Sequence, residues 1–268
     1  MLKHLAIFLF VLFGLSFNAN AQSQYGLAHE IGIIAGPVEL RSDYGARNSS
    51  TNNFNNSGFG IGIVHFLNFS YNQRAFSEDT YFKEHFKVRT EISYSKSNLE
   101  NKGKYVEGDP NSLAVQQLKG MYGSTQLLNF GMQLEYNLKN IHAFERSYSS
   151  FSPFVSFGGQ ISGYTTKANS TLGILGTTAA TFPKYLTPSA GRPYGFSSEK
   201  GTTLSVVSSI GTRYKLSPLQ DLMIDLRLQY FDSDWIDGLN PNRKIYTENK
   251  TNDWLLWLNV GYIYYLSD

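Results

Sequence analysis

Asp253-Trp254-Leu255-Leu256-Trp257-Leu258-Asn259-Val260-Gly261-Tyr262-Ile263-Tyr264-Tyr265-Leu266-Ser267-Asp268, the last stretch of the chain, decides how the rest is read. Every second residue of it is apolar or aromatic (Trp254, Leu256, Leu258, Val260, Tyr262, Tyr264, Leu266), and the alternate face carries Asn259 and Gly261. A period of two is that of a β-strand with different surroundings on its two sides. Two settings give that pattern: lipid against one face of a closed sheet, or an amphipathic edge strand in a soluble sandwich.

Composition separates them. Of 268 residues only 16% are charged while 15% are aromatic, and there are 24 glycines and no cysteine. A soluble fold this poor in charge exposes much apolar surface to water, whereas a barrel turns that surface to lipid. The formal charge of +2 gives no basis for a nucleic-acid partner. At the other end of the chain Lys3 and His4 precede an apolar run, Leu5 to Phe17, and Ala19-Asn20-Ala21 is a small-residue cleavage site. Residues 1–21 therefore read as a secretory signal peptide and 22–268 as one outer-membrane domain. The apolar run is too short to span a bilayer as a helix, and without a cysteine to accept lipid the mature chain is expected to be neither helix-anchored nor a lipoprotein.

No later run is long and apolar enough for a spanning helix, so a membrane location demands a closed sheet. Seven further stretches of about ten alternating residues qualify as strands: Leu27 to Gly36, Gly58 to Phe69, Phe86 to Ser95, Leu127 to Tyr136, Phe151 to Ile161, Leu204 to Leu216 and Leu222 to Tyr230. The third is the clearest, with Lys87, Arg89 and Glu91 on one face and Phe86, Val88, Ile92 and Tyr94 among the other residues. The second sets Gly58, Gly60 and Gly62 inward, which suits a narrow interior. Pro153 cannot donate to a ladder and is expected at the start of pairing in the fifth.

The connections test the strands independently. Those after strands one, three, five and seven (about Pro37 to Ser57, Lys96 to Gln126, Ser162 to Thr203 and Phe231 to Asp253) are long and polar; those after two, four and six are shorter. Long and short connections alternate in an eight-stranded antiparallel transmembrane barrel with both termini periplasmic and long loops extracellular. A Greek-key sandwich does not sort its loops by parity.

The registers assign nine charges to the lumen: Glu30, Lys87, Arg89, Glu91, Glu135, Arg213, Lys215, Asp225 and Arg227. In so narrow a space they must pair. Their near balance favours a paired, plugging network over a pore, which would need a constriction of one sign. His29 and His65 fall on the apolar face, His85 begins a strand and His142 lies in a turn, so no arrangement for nucleophilic catalysis emerges. Without a His-x-His, His-x-x-x-His or cysteine cluster, no metal or other cofactor is expected. The connections Ser70 to His85 and Asn137 to Ser150 carry Tyr71, Arg74, Phe76, Tyr81, Phe82, Phe144, Arg146 and Tyr148. These types fit an aromatic girdle at the membrane boundary or a docking surface for a periplasmic partner.

Asn259-x-Gly261-x-x-Tyr264-x-Leu266 resembles the terminal signal by which outer-membrane proteins are handed to the barrel-assembly machinery. Leu27-Ala28-His29-Glu30-Ile31-Gly32, the Gly-rich second strand, the aromatic last strand and the leader ending in Asn20-Ala21-Gln22 resemble small outer-membrane barrels of Bacteroidota, including the PorG-like proteins of the type IX secretion and gliding machinery. The resemblance implies a non-enzymatic anchor or scaffold of an envelope assembly, with periplasmic lipoprotein or secretion-system components as partners beside outer-membrane lipid. Two other readings stay open: a surface barrel of OmpX-like or OmpW-like type whose external loops bind a ligand or partner, and a lipid-modifying barrel enzyme.

Overall fold

The computed structural model describes residues 28–45, 56–69, 80–247 and 252–266. The leader, and Tyr71, Arg74 and Phe76 of the docking set, lie outside the described residues.

Eight strands follow in order: β1 (Ala28–Arg41), β2 (Ser57–Asn68), β3 (Phe86–Glu100), β4 (Met121–Asn137), β5 (Phe151–Ser170), β6 (Lys200–Ser217), β7 (Gln220–Phe231) and β8 (Trp254–Tyr265). Each pairs antiparallel with the next, and β8 returns to β1 through registers such as Ile33↔Tyr262 and Leu40↔Leu255, closing the sheet. Closure leaves no strand with a free row of backbone groups, the condition for placing a sheet in hydrocarbon. The fold is thus the eight-stranded antiparallel barrel that the alternation and loop parity imply.

Alternation fixes which residues point where. Ile33, Ile61, Phe130, Phe157, Leu204, Ile224 and Val260 are exposed on the outer wall, one or more from nearly every strand, while Glu30, Arg89, Glu135, Arg213 and Arg227 are buried inside. An apolar belt running round the whole barrel is stable only against lipid, since water would cost about 25 cal/mol for each Å² of it. Aromatic pairs mark its two rims. Tyr230 meets Trp254 at the end bearing the long connections, and Phe151 meets Tyr214 at the end bearing both termini, each with ring centroids 4.9 Å apart.

At the long-connection end several strands run further than the sequence periodicity indicates. Lys96 to Glu100, Met121 to Gln126, Ser162 to Ser170 and Lys200 to Thr203 are expected in loops but continue β3, β4, β5 and β6. The physical reason is that these segments stand beyond the apolar belt, where the outward residues turn polar while Leu99, Met121 and Tyr164 face inward, so the lipid-facing pattern ends although the backbone ladder continues. β1 likewise passes through Gly36-Pro37 to Arg41 instead of turning. Pro37 has no N–H to give, and the register between β1 and β8 skips Gly36 and Pro37 before resuming at Val38↔Trp257. Pro153 lies one residue before the β4–β5 pairing, which ends at Asn137↔Phe154, and its carbonyl accepts a hydrogen bond from Leu138.

Candidate functional site: a lumen closed in layers

The inward faces of β1, β3, β4, β6 and β7 bring all nine sequence-assigned charges together inside the barrel, each buried. They form two layers. Nearer the terminus end, Glu30 takes both Lys87 and Arg213 (2.6 Å), and Arg213 also reaches Glu135 at 2.9 Å. Lys215 pairs with Asp221 at 3.1 Å, and Asp221 accepts the Tyr265 hydroxyl at 2.6 Å. Beside this layer Arg89 bonds Asp225 at 2.7 Å and Glu91 at 3.0 Å, while Arg227 grips both oxygens of Glu91. The Arg89–Asp225 and Arg227–Glu91 contacts run between β3 and β7, four strands round the ring, so they cross the lumen like spokes.

Aromatic faces add to the solvation of these cations. The Arg213 guanidinium sits 4.1 Å from the Phe66 ring centroid, Arg227 lies 4.8 Å from Trp257, and the Lys215 ammonium lies 3.8 Å from Tyr265. Removed from water, an ion needs a full set of such partners, because isolated burial costs several kcal/mol per charge. Sequence reading missed this half of the lumen. Asp221 stands just before the alternating stretch Leu222 to Tyr230, yet the β6–β7 turn is only Pro218-Leu219 and Asp221 already points inward. It raises the strand-borne set from four anions to five, matching five cations. Glu145, in the short helix Ile141–Glu145, adds a further carboxylate 3.8 Å from Lys87.

Above the ions lies a neutral layer, where the Gln229 side-chain amide donates to Asn129 (3.1 Å), Ser162 (3.1 Å) and Ser205 (2.9 Å). The long-connection mouth is then filled by the segment after β7. Trp235, Ile236 and Leu239 are buried against Leu40, Tyr44, Leu99, Met121 and Leu255, and Thr125 donates to the Ile236 carbonyl at 2.6 Å. Gly238 has φ of 84°, and a Cβ there would lie 2.7 Å from the Thr166 hydroxyl, so glycine is required. Arg192, held by two bonds to Glu199 (2.8 and 2.5 Å), stacks 3.8 Å from the Trp235 ring. Asp237 accepts from the backbone N–H groups of Asp43 (2.6 Å) and Leu239 (2.7 Å). Burial, and then the Asp43 carboxylate, push Asp237 well above the usual carboxylate range. The run Trp235-Ile236-Asp237-Gly238-Leu239, apolar within a polar connection, is the signal that could have revealed this plug.

The other assigned residues divide. Asn259 and Gly261 face inward on β8, and Tyr264 and Leu266 face outward. Tyr81 and Phe82 are exposed in the helix Tyr81–His85, yet Tyr81 bonds the Tyr136 hydroxyl at 2.5 Å and Phe82 stacks on Phe86 at 4.8 Å, both on the outer wall at the terminus rim. Arg146 and Tyr148 are exposed. Phe144 corrects the docking set: it is buried, and its ring lies 5.5 Å from the Lys215 ammonium, so it closes the lumen floor and presents nothing to a partner. Among the histidines, His29 and His65 share a hydrogen bond at 2.9 Å, and His85 contacts the Asn137 carbonyl at 2.7 Å. These partners are an imidazole and a backbone oxygen. Among the described residues no group of three or more His, Cys, Asp or Glu is arranged to hold a metal ion.

No family model matches the sequence and no curated protein matches it. Solved structures similar in fold include the surface protein NspA of Neisseria, with 14% identity and a TM-score of 0.43 over 89% of this chain and 98% of that one. A major outer membrane protein of Thermus thermophilus gives 12% identity and a TM-score of 0.45 over 90% and 99%. The attachment invasion locus protein Ail of Yersinia pestis, in complex with the heparin analogue sucrose octasulfate, gives 12% and 0.39 over 89% and 99%. The closed sheet, the apolar belt with aromatic rims and the polar, filled interior of this chain are together those of an outer-membrane barrel.

Proposed function

We propose that this chain is a sealed outer-membrane barrel that anchors or scaffolds an envelope assembly, with neither channel nor enzyme activity of its own. The observation that carries the reading is the stacked closure of the lumen: two layers of paired ions, an amide and hydroxyl layer, and the folded segment around Trp235. A conducting path needs a constriction of one sign, and here each of the five lumen cations faces a carboxylate. What such a barrel offers is its two ends. In our reading the termini and the helices Tyr81–His85 and Ile141–Glu145 face the periplasm, where exposed Tyr81, Phe82, Arg146 and Tyr148 meet periplasmic lipoprotein or secretion-system components of type IX kind. The long connections face outward.

The experiment is affinity recovery from detergent-solubilised outer membranes together with conductance in liposomes. The reading expects co-recovery of defined periplasmic components, lost on replacing Tyr81 and Tyr148, and no large stable conductance. Recovery of the barrel alone, or steady conductance, would overturn it.

A second reading rests on the order of the long-connection end. Tyr44, Tyr185, Trp235 and Leu239 knit three connections into one cap, a rigid base from which surface loops could bind a ligand or partner. Binding of a soluble partner to whole cells that disappears when residues 171–199 are shortened would favour it.

A further inference from the structure

The outer wall of β3 to β6 carries a feature that neither anchoring nor sealing uses. Following the strand registers across the sheet, Lys96 lies opposite Gln126, Gln126 opposite Thr165, and Thr165 opposite Lys200. These four form one straight polar row facing outward, just beyond the apolar belt. Lys167 stands on the same face of β5 two residues further on, opposite Ser124. All three lysines are exposed, and none has a carboxylate within ion-pair distance among the described residues. Elsewhere at this end Lys102, Arg192 and Arg243 do have one, in Glu100, Glu199 and Asp234.

Beneath that row the apolar wall is hollowed. Two depressions succeed one another down β4 to β7, of about 590 Å³ and about 700 Å³. The first is floored by Gly159, between Met132 and Val206, and the second by Ser208 beside Phe157. Gly163 lies between the lysine row and the first depression. Neither glycine is imposed by packing. A Cβ at Gly159 would meet nothing closer than 3.7 Å and one at Gly163 nothing closer than 3.8 Å, whereas a Cβ on the inward Gly158 would fall 2.0 Å from a backbone oxygen. The wall is therefore thin where nothing in the protein prevents a side chain.

We infer that the outer wall of β3 to β6 is a binding site for a phosphorylated glycolipid of the outer leaflet, lipid A, with phosphates on Lys96, Lys167 and Lys200 and acyl chain lying in the groove over Gly163, Gly159 and Ser208. Charge complementarity selects the occupant, since three unpaired cations at a membrane boundary attract an anionic headgroup. The span selects it further. Three inter-strand steps of about 4.8 Å separate Lys96 from Lys200 by roughly 14 Å, more than one phosphate bridges and suited to a disaccharide phosphorylated at both ends. The inference rests on the reading that the long connections face outward.

The test uses the full-length protein, purified in detergent and stripped of lipid, with native mass spectrometry against bisphosphorylated lipid A, its monophosphorylated form and phosphatidylethanolamine. Wild type should prefer bisphosphorylated lipid A to phosphatidylethanolamine by at least about tenfold, at roughly a factor of five per lysine. The variant Lys96→Ser with Lys167→Ser and Lys200→Ser should lose that preference. Gly159→Leu with Gly163→Leu fills the groove without a backbone clash and should weaken all three lipids while the charge preference persists. Folding of each variant is confirmed by its heat-dependent gel mobility. No preference in wild type, or an unchanged one in a folded lysine variant, would overturn the site. Orientation is tested separately by labelling Lys244→Cys on intact cells with an impermeant maleimide. Labelling supports the outward reading; a protected cysteine beside intact lipid binding in detergent would overturn lipid A as occupant, because the site would then face the inner leaflet.

Discussion

Arg227 reaches across the lumen from β7 and sets its two terminal nitrogens against the two carboxylate oxygens of Glu91 on β3, beneath the ring of Trp257. Glu91 at the same time takes Arg89. One carboxylate thus neutralises much of two guanidinium groups that water cannot reach. Glu91→Ala should cost about 3–5 kcal/mol, the usual penalty for stranding a buried charge. Combining Glu91→Leu with Arg227→Met should recover most of it, since Arg89 keeps Asp225. Urea unfolding in detergent micelles, followed by tryptophan fluorescence, measures both. Equal losses in the single and double variants would mean that the pair is not the unit of stability.

Closure in layers predicts redundancy. Removing residues 233–240 takes away the Trp235 plug but leaves both ion layers and the Gln229 layer intact. Conductance in liposomes should stay as low as in wild type. A large stable conductance in this variant would show that the segment alone seals the barrel.

Acid should tighten the same segment. The folded state raises Asp237 well above its ordinary value, through burial and the nearby carboxylates of Asp43 and Asp234, with Asp253 accepting from its backbone N–H. Above the ordinary carboxylate range the unfolded segment has lost a proton that the folded one still holds, so stability there falls as pH rises toward the folded value. Hydrogen exchange at the Trp235 to Asn240 amides should accelerate from pH 5 to pH 8.5 beyond the intrinsic rate change, and Asp237→Asn should flatten the extra dependence. An extra dependence unchanged in that variant would assign it elsewhere.

Gly238→Ala tests the turn that aims the plug. With φ of 84° and Thr166 Oγ1 at 2.7 Å from the added methyl, the substitution should loosen the segment by about 1 kcal/mol or more. Protease sensitivity of the cap, with barrel mobility on gels unchanged, is the readout.

Removing residues 262–268 should abolish assembly. It deletes the closing pairs Ile33↔Tyr262 and Ile31↔Tyr264 and the Tyr265 hydroxyl on Asp221, and so leaves β1 with open backbone groups that hydrocarbon does not tolerate. Loss of the heat-modifiable band in outer-membrane fractions is expected, and its persistence would count against closure by β8.

How far the chain is readable without its structure follows the reach of each signal. Strand number, the facing of residues such as Ile33 and Glu30, and the nine lumen charges were legible because a bilayer outside and a narrow lumen inside impose a period of two within a single strand. Strand ends were not. At Lys96, Gln126, Thr165 and Lys200 the sheet leaves the belt, the outward residues turn polar while Leu99, Met121 and Tyr164 face inward, and the lipid-facing pattern has nothing left to report. Composition and alternation by themselves determined a closed sheet with lipid outside and paired ions within. Tertiary structure alone decided which ions meet, since Arg227 and Glu91 lie 136 positions apart in the chain and come together only when β3 and β7 face each other across the ring. It decided likewise that Asp221 and Phe144 belong to the lumen, that Trp235 folds back into the mouth, and that three lysines from separate strands stand in one outward patch. Barrel closure and inter-strand register set these relations; only Asp221, in step with Asp225 and Arg227, and the apolar run at Trp235 leave a trace within one window of sequence.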